Sequence, residues 1–458
     1  MSTSARSASS APAVVGTDVL QRKHHTGRIF VLNRPAALNA LTTDMVRSIT
    51  PQLEAWNKSD LANVIILKSA VDKAFCAGGD VKTAVDLGRK GDPAALQFFE
   101  EEYQMNHLLA TSKKPIVAMI HGITMGGGVG LSVHTPFRVA TETTTFAMPE
   151  TAIGLFPDVG GSFFLPRLDG ETGTYLALTG HRLKGRDVFY AGVASHYVPS
   201  ERLPALEERL CELPSSDPEV VNAAIEDYVA EPPLDGSSGI EGWTYSLEQN
   251  RAAIDRCFKY NTIEEIIAAL EQEKSAWADK TLETIRKMSP TSLKVSLMML
   301  RQGRELGIAE CLQMEFQLVQ KFVGHNDFHE GVTSLLVKRG KEAPKWNPST
   351  IEELDNNTVI RDFFRTPTAH RLNLLNNGAT YTQYPHAKFA LPSEDVIRSV
   401  VSGESGDMGM MALNTEETVD YFLRKYNNKV GVEEKVRAVL GRKANVIDKV
   451  SGALQWKN

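Results

Sequence analysis

Cysteine is scarce in this chain. Four occur in 458 residues, Cys76, Cys211, Cys257 and Cys311, far apart and with no CxxC pair. That argues against a zinc site and a disulfide framework and suits a reducing compartment. No apolar run approaches the roughly 18 residues of a membrane-spanning helix. Charge of one sign is also lacking: 50 Lys and Arg against 56 Asp and Glu leave a net −6. A wholesale polyanion binder is thereby excluded, though not a local basic patch. Internal repeats and low-complexity tracts are absent. What remains is ordinary globular composition, 42% hydrophobic and 23% charged, with enough apolar material for a large core. A soluble intracellular protein is expected.

The first residues stand apart. Met1–Arg28 is rich in Ser and Ala, has no acidic residue before Asp18 and carries Arg6, Arg22, Lys23 and Arg28. This reads as a mitochondrial targeting remnant or a disordered tail, so residues 1–27 are expected to lie outside the fold.

Further on, Ile29–Asn33 reads as a short strand stopped by Pro35. Met45, Ile49, Leu53 and Trp56 recur at three- and four-residue steps, which predicts a helix over Thr43–Asn57. Strands are predicted at Val64–Leu67, Ile116–Ile120 and Phe137–Ala140, and a helix at Ala94–Ala110. Strands alternating with helices, each strand opening into a loop, indicate α/β architecture with crossover connections. After about Leu203 the pattern becomes helical, with Glu264–Glu273, Ala276–Met288 and Leu293–Phe322 as candidates. The last is apolar nearly all round, hence buried, and its methionines read as core.

Two glycine loops carry the functional signal. Phe75–Asp80 (FCAGGD) and His121–Gly130 (HGITMGGGVG) each follow a strand and precede a helix. Glycine lacks Cβ, so its backbone approaches a ligand closely, and two such amides can converge on an oxygen that gains negative charge in acyl chemistry. Neither loop fits the phosphate-binding patterns of nucleotide sites. About twenty residues on, Glu150 and Asp158 sit among apolar residues next to Pro149 and Pro157. Carboxyls so placed tend toward raised pKa values, which suits proton transfer or nucleophilic attack. Each could equally cap a helix or satisfy a turn amide.

FCAGGD, HGITMGGGVG and AMPETAIGLFPDVGGSFFLPRL resemble the crotonase (enoyl-CoA hydratase/isomerase) superfamily, and within it the 3-hydroxyisobutyryl-CoA hydrolases. ALTGHRLKGRD (Ala177–Asp187), SPTSLKVS (Ser289–Ser296) and DFHEGVTSLLVKRGKEAPKWNP (Asp327–Pro348) resemble that subfamily too, and the likeness runs roughly from Arg28 to Phe364. It implies a crotonase-like spiral of ββα turns over residues 28–203, a helical part over 204–365 and an extra C-terminal extension over 366–458.

By the same likeness, Gly79 and Gly127 would supply the two amides of an oxyanion hole for an acyl-CoA thioester. Hydratases of the superfamily use two glutamates on one water. Glu150 matches the second, but Gly130 stands at the first, which disfavours hydration and leaves thioester hydrolysis. Glu150 would attack the carbonyl or activate water against it. Asp158 matches the position associated with the substrate's 3-hydroxyl and would help protonate the leaving thiolate, and Glu102 matches a further substrate-binding position. By sequence pattern alone, the Glu100–Glu102 cluster reads as a solvated helix face. No metal and no cofactor beyond the coenzyme A of the substrate is implied. His121 reads as a loop-packing residue and His24-His25 as tail.

The end of the chain exceeds that pattern by about ninety residues. Two helices are expected, at about Asn414–Tyr426 and Gly431–Leu440, and Arg424–Asn458 holds nine basic against three acidic side chains. Such a tail could bind RNA phosphates or an acidic protein surface, or be an ordinary solvated face. Tyr381, Tyr384 and Phe389 could stack on bases or pack against the core. Some fungal members of this hydrolase group with a similar extension are components of the mitochondrial ribosome's small subunit. The resemblance therefore implies a mitochondrial matrix location, with mitochondrial ribosomal RNA and proteins as partners through the extension, no membrane, and a monomer.

Overall fold

The computed structural model describes residues 18–230, 245–376, 378–405, 412–448 and 450–457. Of the segment expected to lie outside the fold, residues 1–17 are not among those described. The remainder of it, however, is strand. β1 (Val19–His24) pairs antiparallel with β2 (Gly27–Leu32), supplying backbone partners on the β2 edge that the strand Val64–Ser69 leaves open. His24 therefore ends a strand instead of belonging to a tail.

Two sheets are laid down in alternation. β3 (Val64–Ser69), β5 (Ile116–Ile120), β7 (Phe137–Ala140) and β10 (His196–Tyr197) extend the first in the order β1-β2-β3-β5-β7-β10, parallel from β2 onward. β4 (Ala74–Cys76), β6 (Ile123–Met125) and β8 (Thr145–Ala147) form the second in parallel, and β9 (Leu183–Lys184) closes it antiparallel. Each turn of the chain thus gives one strand to each sheet before a helix returns it, which is the α/β spiral. Helix α1 (Thr43–Asn57) starts where Thr42 accepts from Met45 N–H, and it buries Met45, Ile49, Leu53 and Trp56. α2 (Val81–Arg89), α3 (Ala94–Ala110), α4 (Gly127–Gly130) and α5 (Gly161–Phe164) follow the loops of the second sheet.

The single helix expected over Leu293–Phe322 is two, Pro290–Gly303 and Ile308–Phe322. Gly303 lies so close to α5 that a Cβ there would stand 2.1 Å from the Ser162 carbonyl oxygen. The Arg167 guanidinium then donates to the carbonyls of Gly303, Arg304 and Leu306, giving the broken turn the partners that a helix would have supplied.

Residues 366–376 and 378–391 run largely exposed over the core with little regular structure, and the helices Glu394–Val401, Thr415–Lys425 and Val432–Lys443 follow. A hairpin of β11 (Ala444–Val446) and β12 (Leu454–Trp456) ends the described chain. The three aromatics considered for base stacking are packed inward. Tyr384 OH donates to Thr135 O and accepts from Arg138, Phe389 lies 4.9 Å from Phe137, and Tyr381 lies 5.3 Å from Phe163. The basic end is turned inward as well. Lys429 pairs with Glu226, Lys435 with Asp169, Arg442 with Glu248 and Glu394, and Lys443 with Asp255 and Glu394. Arg437 is held by Glu416 and Glu433. These cations fasten the extension to the core and to itself, so the free basic face inferred from composition does not form from them.

Candidate active site

Helix α3 runs beside both glycine loops and presents one side chain per turn to them. An added Cβ at Gly79 would stand 3.2 Å from the Phe98 ring, one at Gly127 2.6 Å from Glu102 Oε1, and one at Gly130 2.8 Å from Asn106 Nδ2. Positions 98, 102 and 106 share a face because four residues nearly complete a helical turn. The loops need glycine for close approach. Gly126 has φ +45°, and a Cβ on Gly128 would stand 2.3 Å from Cys76 O.

The two loops also meet each other: a Cβ on Gly127 would lie 3.2 Å from Gly79 N. Leu41 takes up the peptide groups on either side of Gly79. It donates to Gly78 O at 2.8 Å and accepts from Asp80 N–H at 2.8 Å, leaving the Gly79 N–H outside that ladder. Gly127 opens α4, whose own bonds begin with Val129 and Gly130 donating to Gly126 O. Gly79 and Gly127 thus lie against each other, with Glu102 and Glu150 packed on the second loop.

Glu150 begins a 3-10 turn directly after Pro149, and its Oε1 would be 3.0 Å from a Cβ on Gly126. Asp158 accepts from Tyr103 OH at 2.8 Å. The next residue, Val159, has φ +53°, a left-handed conformation that a β-branched residue adopts only under constraint. The constraint is visible: His134 Nε2 meets Val159 O at 2.8 Å, and buried Glu315 accepts from Gly160 N–H, Ser162 N–H and Ser162 OH.

Glu102, Glu150 and Asp158 are only 2%, 5% and 5% exposed, and no ion pair reaches them among the described residues. Burial, then the charges of Asp158 and Glu150, push the Glu102 carboxyl well above the usual carboxylate range. Burial and Asp158 do the same to Glu150. Burial raises Asp158 to about 6, against the Tyr103 hydrogen bond that holds it down. Glu315, also pushed up by burial, stands at about 8. Like charges this close do not all ionise together, so the cluster holds both proton donors and proton acceptors near neutral pH.

All five residues singled out in the sequence, Gly79, Glu102, Gly127, Glu150 and Asp158, are brought together here. Glu102 departs from the solvated face read from pattern alone: Glu100 and Glu101 are half-buried, while Glu102 points inward. Gly130 has no room for a side chain, since a Cβ would stand 2.6 Å from Val159 Cβ. His121 packs its loop by bonding Thr141 and Thr143. Tyr103, Asn106, His134 and Glu315 escaped sequence reasoning. The four-residue stripe of α3 could have pointed to Asn106, but nothing local marks Glu315, which reaches the loop across 155 residues. Among the described residues, one group has metal-ligand spacing, the exposed His24, His25 and Glu208. It shares no element with the carboxylate cluster.

The enoyl-CoA hydratase/isomerase family profile matches residues 27–364. The mitochondrial 3-hydroxyisobutyryl-CoA hydrolase of Homo sapiens is 48% identical over 345 residues, covering 75% of this chain and 88% of its own. Small ribosomal subunit protein mS47 of Neurospora crassa is 45% identical over 461 residues, covering 96% of this chain and 88% of its own. Among solved structures, a carnitinyl-CoA dehydratase from Mycobacterium thermoresistibile is similar at TM-score 0.71 and 33% identity, over 79% of this chain and 100% of that one.

Proposed function

The chain belongs to the enoyl-CoA hydratase/isomerase family, and from that premise we propose that it hydrolyses 3-hydroxyisobutyryl-CoA to 3-hydroxyisobutyrate and coenzyme A in mitochondria. The observation that carries this reading is a set of buried carboxyls, with no cation against them among the described residues, packed on two adjoining glycine loops. The thioester carbonyl oxygen accepts from the N–H groups of Gly79 and Gly127. These stabilise the charge that develops on it, each donor lowering the barrier by about 3–4 kcal/mol. Glu150, made more basic by burial, supplies the attacking oxygen, either its own or that of a water it deprotonates. Asp158 holds the 3-hydroxyl and assists proton delivery to the departing thiolate. Glu102, the carboxyl most opposed to ionisation by its neighbours, binds substrate as a neutral acid. No cofactor other than the coenzyme A carried by the substrate enters these steps.

Thiol release from 3-hydroxyisobutyryl-CoA tests the proposal. Turnover that Glu150→Gln abolishes supports it, and an inactive wild-type protein defeats it. Single turnover in H2¹⁸O separates the two routes, because direct attack transfers label into Glu150 itself when the anhydride is opened at that carbon.

One observation favours a second role beside the first. The alignment with the Neurospora crassa ribosomal protein spans 96% of this chain, whereas that with the human hydrolase spans 75%, so the former takes in the extension. On this reading the chain is also a component of the mitochondrial small ribosomal subunit, held by the outer surface of residues 366–458, with ribosomal proteins and RNA as neighbours. Co-sedimentation of the intact chain with mitochondrial small subunits at physiological salt tests it, and migration as free protein rejects it.

A further inference from the structure

We infer that Asn106 is a specificity-determining residue that donates a hydrogen bond to the β-hydroxyl oxygen of the acyl group. The inference rests on the hydrolase reading and adds a residue to it. Asn106 is 0% exposed, and among the described residues neither its Nδ2 nor its Oδ1 has a hydrogen-bond partner. A buried amide with both ends unpaired is uncommon in folded proteins and calls for a partner, of which a bound ligand is one kind. Its position agrees. Asn106 lies one turn along α3 from Glu102, with Nδ2 against Gly130 and close to Val159, the residue after Asp158. Glu102 Oε1 and Glu150 Oε2 are likewise buried without partners; other such atoms are scattered through the fold, but these share the glycine-loop site with Asn106. Neighbouring His107 faces elsewhere, toward the extension, with its Nε2 2.8 Å from Ala379 O.

The chemistry of the ligand follows from what the other groups can still offer. A hydroxyl has one hydrogen to give and lone pairs that need a donor. Asp158 accepts the hydrogen through the carboxylate oxygen that Tyr103 leaves open. For the lone pairs, the backbone and phenol donors of the site are committed: Gly79 and Gly127 to the thioester carbonyl, and Tyr103 to Asp158. Two donors remain, the neutral Glu102 carboxyl and the Asn106 amide, and of the two only the amide keeps its hydrogens whatever the protonation of the carboxyl cluster. The amide also fills the space that a side chain at position 130 would need, which joins loss of that side chain to recognition of a hydroxylated acyl group.

The test compares kcat/KM for 3-hydroxyisobutyryl-CoA and for isobutyryl-CoA, which lacks the hydroxyl, in wild type, Asn106→Leu and Asn106→Asp. Both rates come from one preparation, so their ratio is independent of the folded fraction, and the nearly isosteric Asp variant serves if the Leu variant fails to fold. The expected result is a ratio lowered about 10- to 100-fold, through loss on the hydroxylated substrate, with isobutyryl-CoA changed by less than about threefold. A parallel fall on both substrates, or an unchanged ratio, overturns the assignment while leaving the hydrolase intact. Wild-type protein inactive on both thioesters overturns the hydrolase reading and this inference with it.

Discussion

Among the described residues, Glu102, Glu150 and Asp158 at the glycine loops have no cation beside them, whereas Asp169, Glu226 and Asp255 at the seam with the C-terminal extension each face a lysine. Burial pushes both groups upward, and the outcome differs by partner alone. At the glycine loops the carboxyls stay raised. At the seam, burial is overcome by His196 and Lys429, which hold Glu226 down at about 2, by Lys435 at Asp169, and by Arg251 and Lys443 at Asp255. An unpaired buried acid costs stability and retains a proton that can be moved; a paired one fastens the chain and has no proton to give. The first set is suited to chemistry and the second to holding the extension.

Four experiments can break or sharpen that contrast. The largest effect is expected from Glu150→Gln, which should lower kcat/KM for thioester cleavage about 10³- to 10⁴-fold with no loss of thermal stability. Near wild-type turnover would show that the unpaired acids are not the catalytic ones. Next, Lys429→Met leaves half-buried Glu226 with only His196, and should cost about 1–3 kcal/mol in urea unfolding while kcat/KM per folded molecule stays within about twofold. A matching loss of specific activity would show that the seam reaches the site. Glu102→Gln should act in the opposite direction and raise stability by about 1–2 kcal/mol at pH 8, with impaired substrate binding.

The sign of that last effect depends on pH. The folded pKa of Glu102 is raised, so its cost is absent below the unfolded value near 4.3 and grows as pH rises above it. The gain in the Gln variant should vanish at pH 4. Glu226, with its folded pKa depressed to about 2, contributes stability that is lost only as pH falls from about 4.3 toward 2. Melting curves from pH 8 to pH 2 should therefore show relief at the site before the seam loosens. The smallest effect is a shift: Asp158→Asn removes the charge that raises Glu150, and should move the acid limb of the residual activity to lower pH. A limb that stays in place would assign it to another group.

Much of the site was legible because it is built from short segments with strict local demands. Gly126 needs its positive φ and Gly128 its lack of a Cβ, and such needs appear as spacing along the chain. The helix Thr43–Asn57 was legible as periodic burial and the strands β5 and β7 as short runs buried at every position. Where the reading failed, the cause was distant. Leu293–Phe322 is apolar enough to read as one helix, and only Arg167 and Ser162, far upstream, account for its break. The nine basic residues near the end look like a nucleic-acid surface until acids are located for five of them, Lys429, Lys435, Arg437, Arg442 and Lys443, as far as 266 residues away for Lys435 and Asp169.

The chain by itself determined the α/β alternation, the two glycine loops and the identity of the carboxylates, since these depend on backbone geometry and residue type within a few positions. Tertiary structure alone decided which acids ionise, whether the basic end faces water, and that Asn106 is left without a partner. Those outcomes depend on burial and on neighbours from remote parts of the chain, and solvation energy is a property of the assembled environment, not of the residue that carries the charge.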